Sequence, residues 1–218
     1  MAGTDAADGT VATTAEASET ARPVVPGNGG PRSAGTRQAI IDAARSAFAM
    51  HGYDRTTIRS VASAAGVDAS MVMRYFGSKA GLFTAAATAD LQIPDLTAIA
   101  SADRGEALVR HLIGRWEDPS SGEGLMSLLR TAATSDEVAS QLQAVLGQLI
   151  TGPIAATGAA DATERGAFIQ TQMLGVALCR YVLRQEPLAS LPIAQVIATV
   201  APSVQRYLDA PDPAVSQA

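Results

Sequence analysis

The chain has 218 residues, 47% of them hydrophobic, a single cysteine and a formal net charge of −5. The apolar share is ample for one large or two small packed domains, and the lone Cys179 excludes an intramolecular disulfide or a paired-cysteine metal knuckle. No run reaches the ~18 apolar residues of a membrane helix and the N-terminus lacks the segments of a signal peptide, so the expected location is cytoplasmic; in so acidic a chain, nucleic-acid binding must rest on local charge.

Residues 1–35 are mostly Ala, Thr, Gly and Pro with scattered acids and almost no large apolar side chains. Such a segment buries too little to offset the entropy of ordering, and a disordered tail is expected. A first helix is predicted from Thr36, with Ile40, Ile41, Ala44, Ala47 and Phe48 on one face. Gly52 is placed to end it in a left-handed conformation, with Tyr53 as the apolar residue after it.

A second helix is expected over about 57–65, capped by Thr56 or Thr57, with Ile58, Val61, Ala62 and Ala65 inward. Gly66 supplies the positive φ of a tight turn. Asp68 then caps a third helix from Ala69 to Phe76, in which Val72 and Phe76 point to the core. Gly77 ends it, and Ser78 caps a fourth helix with Lys79 in its first turn and Leu82 and Phe83 packing back. Two short helices across a glycine turn form the layout that docks one helix in a DNA major groove. Between Thr36 and Leu82 six cations (Arg37, Arg45, Arg55, Arg59, Arg74, Lys79) face three acids (Asp42, Asp54, Asp68), a local +3 inside an acidic chain.

Beyond Pro94 the pattern is helical throughout. Arg104–Trp116 is amphipathic, Gly124–Thr134 carries Leu125, Met126, Leu128 and Leu129, and Asp136–Ile150 is expected to bend or break at Gly152–Pro153. Thr163–Arg184 is apolar on nearly every side from Met173 to Leu183, as suits a helix buried on two sides. A last stripe runs from Ile193 to Leu208 with a kink expected at Pro202, and residues 210–218 are expected to be disordered.

The run Phe48–Tyr53, then Thr56-Thr57-Ile58-Arg59, Val61-Ala62, Ala65-Gly66-Val67, Tyr75-Phe76, Ser78-Lys79 and Leu82, resembles the TetR family of one-component repressors. The resemblance covers residues 36–83. It implies an all-α fold: a three-helix helix-turn-helix DNA-binding head over 36–83 and a larger helical ligand-binding and dimerisation domain over 84–209. It also implies a homodimer on an inverted-repeat operator in double-stranded DNA, and a small-molecule effector. Met73 departs from the pattern, since members often have a tyrosine there, and a thioether cannot donate to a phosphate.

Base reading is expected from the exposed start of the third helix. Arg74 suits a bidentate contact to guanine, Ser70 a weaker polar contact, and Ala69 and Met71 apolar contact with a thymine methyl. Arg59 matches a family position that reaches a base edge or phosphate. Thr57, Tyr75 and Lys79 are expected at phosphates, the first and last because they sit at helix N-termini. For the body, Trp116, Met126, Leu129, Arg130, Gln148 and Phe168 are the candidate effector contacts, lying between helix four and the helices beyond, and their mainly apolar character favours a hydrophobic or amphipathic effector. Thr163–Arg184 and the last stripe together suit a four-helix dimer interface.

Two other readings stay open at this level. An interaction module that has lost DNA binding would fit the acidic balance and Met73, although it has no need of Arg59, Arg74 and Lys79 together. An enzyme finds little support. His51 and His111 have no ligand at metal spacing, and no nucleophile elbow or phosphate loop is present, so neither metal nor cofactor is expected.

Overall fold

The computed structural model of the chain describes residues 31–209. The expected tail thus lies outside the described residues up to position 30, as do residues 210–218. Its last five positions, 31–35, are instead helical: α1 runs Pro31–Arg55, beginning well before Thr36. Proline is at home in a first helical turn because its missing N–H would have no partner there.

Gly52 leaves helical geometry with positive φ (74°), interrupting α1 at the position expected from the sequence, and a further helical turn follows to Arg55. The Thr56 hydroxyl, buried, donates to the Gly52 carbonyl (2.8 Å) and the Ala47 carbonyl (3.2 Å), closing this helix end. Thr57 therefore caps α2 (Ile58–Ala64), in a reciprocal box with Ser60. Gly66 turns the chain with φ 67°, and α3 (Ala69–Phe76) starts on Asp68, whose carboxylate accepts from the Ser70 N–H at 2.8 Å. Ser78 caps α4 (Lys79–Thr88), with Lys79 in its first turn and Leu82 and Phe83 buried, as read in the sequence.

The body comprises α5 (Arg104–Glu117), α6 (Gly122–Ala132), α7 (Asp136–Ala155), α8 (Ala162–Ala177) and α9 (Ile193–Asp209). Helix α7 continues through Gly152–Pro153 to Ala155, so the chain does not break there, and α9 runs through Pro202. Pro153 lies in the final turn, where few further backbone bonds remain to be lost. In place of one long helix to Arg184, α8 gives way at Leu178 to a single π turn, Leu178–Val182.

No strand occurs among the described residues, and no helix there is long and apolar enough to cross a membrane. One core joins head and body. Ile40, Ile41, Val61, Val72 and Leu82 of the head are fully buried in the same cluster as Leu108, Ile113, Leu128, Ile154 and Ile169. Helix α4 is the shared element, packing against α1 and α3 on one side and α6 and α7 on the other. Helices α5 and α9 pack against each other most extensively. They cross so closely at Gly105 that its N–H reaches the Gln205 side-chain oxygen at 2.6 Å.

Candidate nucleic-acid interface and effector cavity

Helix α3 divides cleanly into two faces. Val72 and Phe76 are buried, four residues apart, and anchor it to the head. Ser70, Met73 and Arg74 are exposed and Ala69 and Met71 half-buried, so the expected base-reading residues share the surface side of one helix. Arg59 is exposed on the neighbouring α2 and has no hydrogen-bond or ion-pair partner among the described residues. The guanidinium of Arg74 lies 5.4 Å from the Tyr75 ring centre, an arrangement that steadies the arginine.

The expected phosphate contacts already hold the head together. The Lys79 ammonium donates to the Asp54 carbonyl (3.0 Å) and sits 4.4 Å from the Tyr53 ring centre. It thereby ties the end of α1 to the start of α4. Tyr53 stacks in turn on Phe48 and packs at a tilt against Phe83, and the Phe48 and Phe83 ring centres are 4.7 Å apart. Burial and the nearby Glu137 and Asp54 push the Tyr53 phenol above its ordinary value.

The Tyr75 hydroxyl is 3.0 Å from that of Ser33. This hydrogen bond, helped by Arg74, lowers the phenol's pKa. Ser33 belongs to the stretch expected to be disordered. Its contact explains why α1 gains from starting early: the added turn braces α3. Thr57 is exposed at the α2 N-terminus with its side-chain oxygen committed to the capping box.

In the body, the expected effector residues separate into three places. Trp116 and Leu129 line an apolar cavity of about 40 Å³ enclosed by the end of α4, the following turn and α5 to α8. Met126 and Arg130 lie on the opposite side of α6, in a groove between head and body. Gln148 is exposed and lines neither space, and Phe168 is 59% exposed and stacked on Tyr207, with ring centres 5.5 Å apart. Helical spacing explains the split: neighbours such as Leu125 and Met126, or Leu129 and Arg130, diverge by about 100° on the helix.

The rest of the cavity wall, among it Leu142, Leu146, Met173 and Leu174, was legible in the sequence only as apolar stripe. Thr88 and Gln170 are its polar lining residues. The Thr88 hydroxyl donates to the Thr84 carbonyl at 2.7 Å, and the Gln170 amide and the indole N–H of Trp116 are the other polar side-chain groups of the lining residues. Trp116 lies flat on Tyr181 of the π turn, with ring centres 5.6 Å apart and planes within 2°. The Tyr181 hydroxyl donates to Glu117 (2.8 Å), and burial together with that carboxylate raises its pKa. His111 on α5 is pushed down in pKa by burial and by Arg115.

One residue that the sequence reading passed over joins the cavity to the head. Arg45 of α1 donates to the Ala86 carbonyl (3.0 Å) and pairs with Asp90 (2.6 Å), gripping the end of α4 on either side of Thr88. Its charge marks it in the sequence, but only the packing of α1 on α4 gives it a partner.

Comparison with known proteins agrees with this architecture. Residues 40–86 match the model of bacterial regulatory proteins of the tetR family, and residues 102–208 match that of the tetracyclin repressor-like C-terminal domain. The solved structure of a TetR-family regulator from Streptomyces coelicolor is 33% identical, over 83% of this chain and 97% of that one, with a TM-score of 0.58. A TetR-family structure from Rhodococcus, 18% identical over 81% of this chain and all of its own, shares the fold with a TM-score of 0.54. The HTH-type transcriptional repressor AcnR of Corynebacterium glutamicum is 33% identical over 90 residues, which is 41% of this chain and 45% of that repressor. This chain thus spans less than half the length of the curated relatives it matches. Head, body and the match along almost the whole Streptomyces chain lead to one conclusion: the protein belongs to the TetR family of bacterial transcriptional regulators.

Proposed function

We propose that the protein is a repressor that binds an inverted-repeat operator as a homodimer and releases it when a small hydrophobic or amphipathic effector enters the body. The observation that carries this reading is the two-faced α3, with Val72 and Phe76 anchored and Ser70, Met73 and Arg74 presented beside Arg59, which has no hydrogen-bond or ion-pair partner among the described residues. Arg74 reads guanine, while Ala69, Ser70 and Met71 contact neighbouring base edges. Arg59, Thr57, Tyr75 and Lys79 hold the backbone. Met73, 44% exposed, adds apolar contact where a tyrosine would add a phosphate bond.

Dimerisation sets two such helices ~34–36 Å apart, one turn of DNA. The supporting surface is on α8, the π turn and α9, where Phe168 (59% exposed), Leu178 (40%) and Ile193 (38%) lie open in the single chain. These side chains lie on elements that pack together, α8 with the π turn and with α9, and exposed apolar surface there favours a partner.

For the effector, the lining favours a mainly apolar molecule with few hydrogen-bonding groups, met by Gln170 or Trp116. About 40 Å³ of free volume holds a water or two, whereas a ligand site usually needs about 300–1,000 Å³. The effector must therefore select a state in which the cavity has opened. Opening displaces Thr88 and Leu91 from α5 and α6, and the Arg45 clamp on Ala86 and Asp90 carries that displacement to α1 and the head. The shift in operator affinity is bounded by the effector's preference for the open state.

The test is capture of genomic DNA fragments by the purified protein at physiological salt. An enriched inverted repeat is expected, with Arg74→Ala relaxing the preference at one position of each half-site. A folded helical dimer that enriches no motif would refute the reading and favour a module that does not bind DNA.

A further inference from the structure

The groove on the far side of α6 has a different chemistry from the cavity. It has about 600 Å³ of free volume, and none of its lining residues is shared with the apolar cavity. Its walls come from both units: Phe48 and Phe83 from the head side, Met126 and Arg130 from α6, and Arg184 from the segment after the π turn. Of its three arginines, Arg45 is neutralised by Asp90 at 2.6 Å. Arg130 and Arg184 are exposed and have no hydrogen-bond or ion-pair partner among the described residues.

Arg184 also holds φ 52°, the one positive-φ residue other than glycine among those described. Side chains rarely accept that conformation unless the surroundings impose it. Glu123 is the carboxylate of the lining. Two uncompensated arginines against it leave one net positive charge, over a floor of aromatic rings and a methionine.

We propose that this groove is a second ligand site, for a small amphipathic monoanion of the carboxylate class. Arg130 and Arg184 take the carboxylate, with the paired oxygens suited to guanidinium forks. The apolar body lies along Met126, Phe48 and Phe83. A net charge of plus one matches a monoanion better than a phosphate dianion. Because the walls belong to the head and to α6, an occupant fastens one to the other, whereas a cavity ligand parts α4 from its neighbours.

The experiment is calorimetric titration of the full chain with sodium decanoate, without DNA, so that its outcome is separate from that of the repressor reading. The parent chain is expected to bind decanoate. The double variant Arg130→Gln/Arg184→Gln, which removes two exposed side chains and no internal bond, is expected to bind at least tenfold more weakly with its helical circular dichroism unchanged. Leu146→Trp, which fills the apolar cavity, should change decanoate affinity less than twofold; if that chain does not fold, Leu174→Phe takes its place. The proposal is overturned if the parent does not bind decanoate up to its solubility, if the arginine variant binds as the parent does, or if filling the cavity abolishes binding.

Discussion

Replacing Gly105 and Gly114 by alanine, nine residues apart on α5, should move stability in opposite directions. At Gly105 a Cβ would lie 2.7 Å from the Gln205 backbone nitrogen and 2.8 Å from its Cα. Those atoms belong to α9 itself, so relief requires the two helices to separate by about an ångström. Such overpacking costs about 1–3 kcal/mol, and weakening the Gly105 N–H bond to Gln205 adds about 1 kcal/mol. At Gly114 a Cβ would meet nothing within 4 Å. There the alanine gains about 0.5–1 kcal/mol from helix propensity. At about 2–4 °C per kcal/mol for a domain of this size, Gly105→Ala should melt roughly 4–16 °C below the parent and Gly114→Ala roughly 1–4 °C above it. Thermal unfolding followed by circular dichroism at one fixed protein concentration measures both, since a self-associating chain melts at a concentration-dependent temperature. A Gly105→Ala chain melting at or above the parent would refute the claim that the α5–α9 crossing is set by backbone contact.

Other outcomes are equally specific. Trp116 is the single tryptophan of the chain and lines the apolar cavity, so an effector entering there should change its emission in proportion to occupancy; a molecule that releases DNA without changing the emission acts elsewhere. Lys79→Ala should flatten the salt dependence of DNA binding by about one unit of log–log slope and also lower the melting temperature, because the bond to Asp54 and the Tyr53 contact are lost. Phe168→Glu should convert a dimer to monomers in sedimentation at micromolar concentration, and an unaltered sedimentation coefficient would move the interface off α8. Hydrogen bonds from Ser70 hold the Asp68 carboxyl below its ordinary value of 3.8. Its contribution to stability is therefore complete above that value and disappears as pH falls through the lower folded-state one. Asp68→Asn, which keeps a capping oxygen, should remove that acid-limb component in a series of melts between neutral and strongly acid pH.

Local chemistry explains why the head was legible before any coordinates. Caps at Thr57, Asp68 and Ser78 and positive-φ glycines at 66 and 77 act within a few residues, and the buried pair Val72 and Phe76 shows its spacing in the sequence alone. The early start of α1 was not legible, because its brace is the Ser33–Tyr75 contact across 42 residues. Nor was it legible that α7 continues past Pro153, because a local helix breaker leaves both a bend and a break open.

The sequence by itself determined the helical class, the turn geometry of the head and the side of α3 that meets the core, since each follows from interactions within about one helical turn. The body was decided by tertiary structure. Trp116 and Leu129 share a cavity with Leu146 and Met173, Met126 and Arg130 face a separate groove with Arg184, and Arg45 grips α4 at Ala86 and Asp90. An apolar stripe states that a helix has a buried face without stating which helix covers it. The covering partner is chosen by packing among α4 to α9, which no single segment encodes.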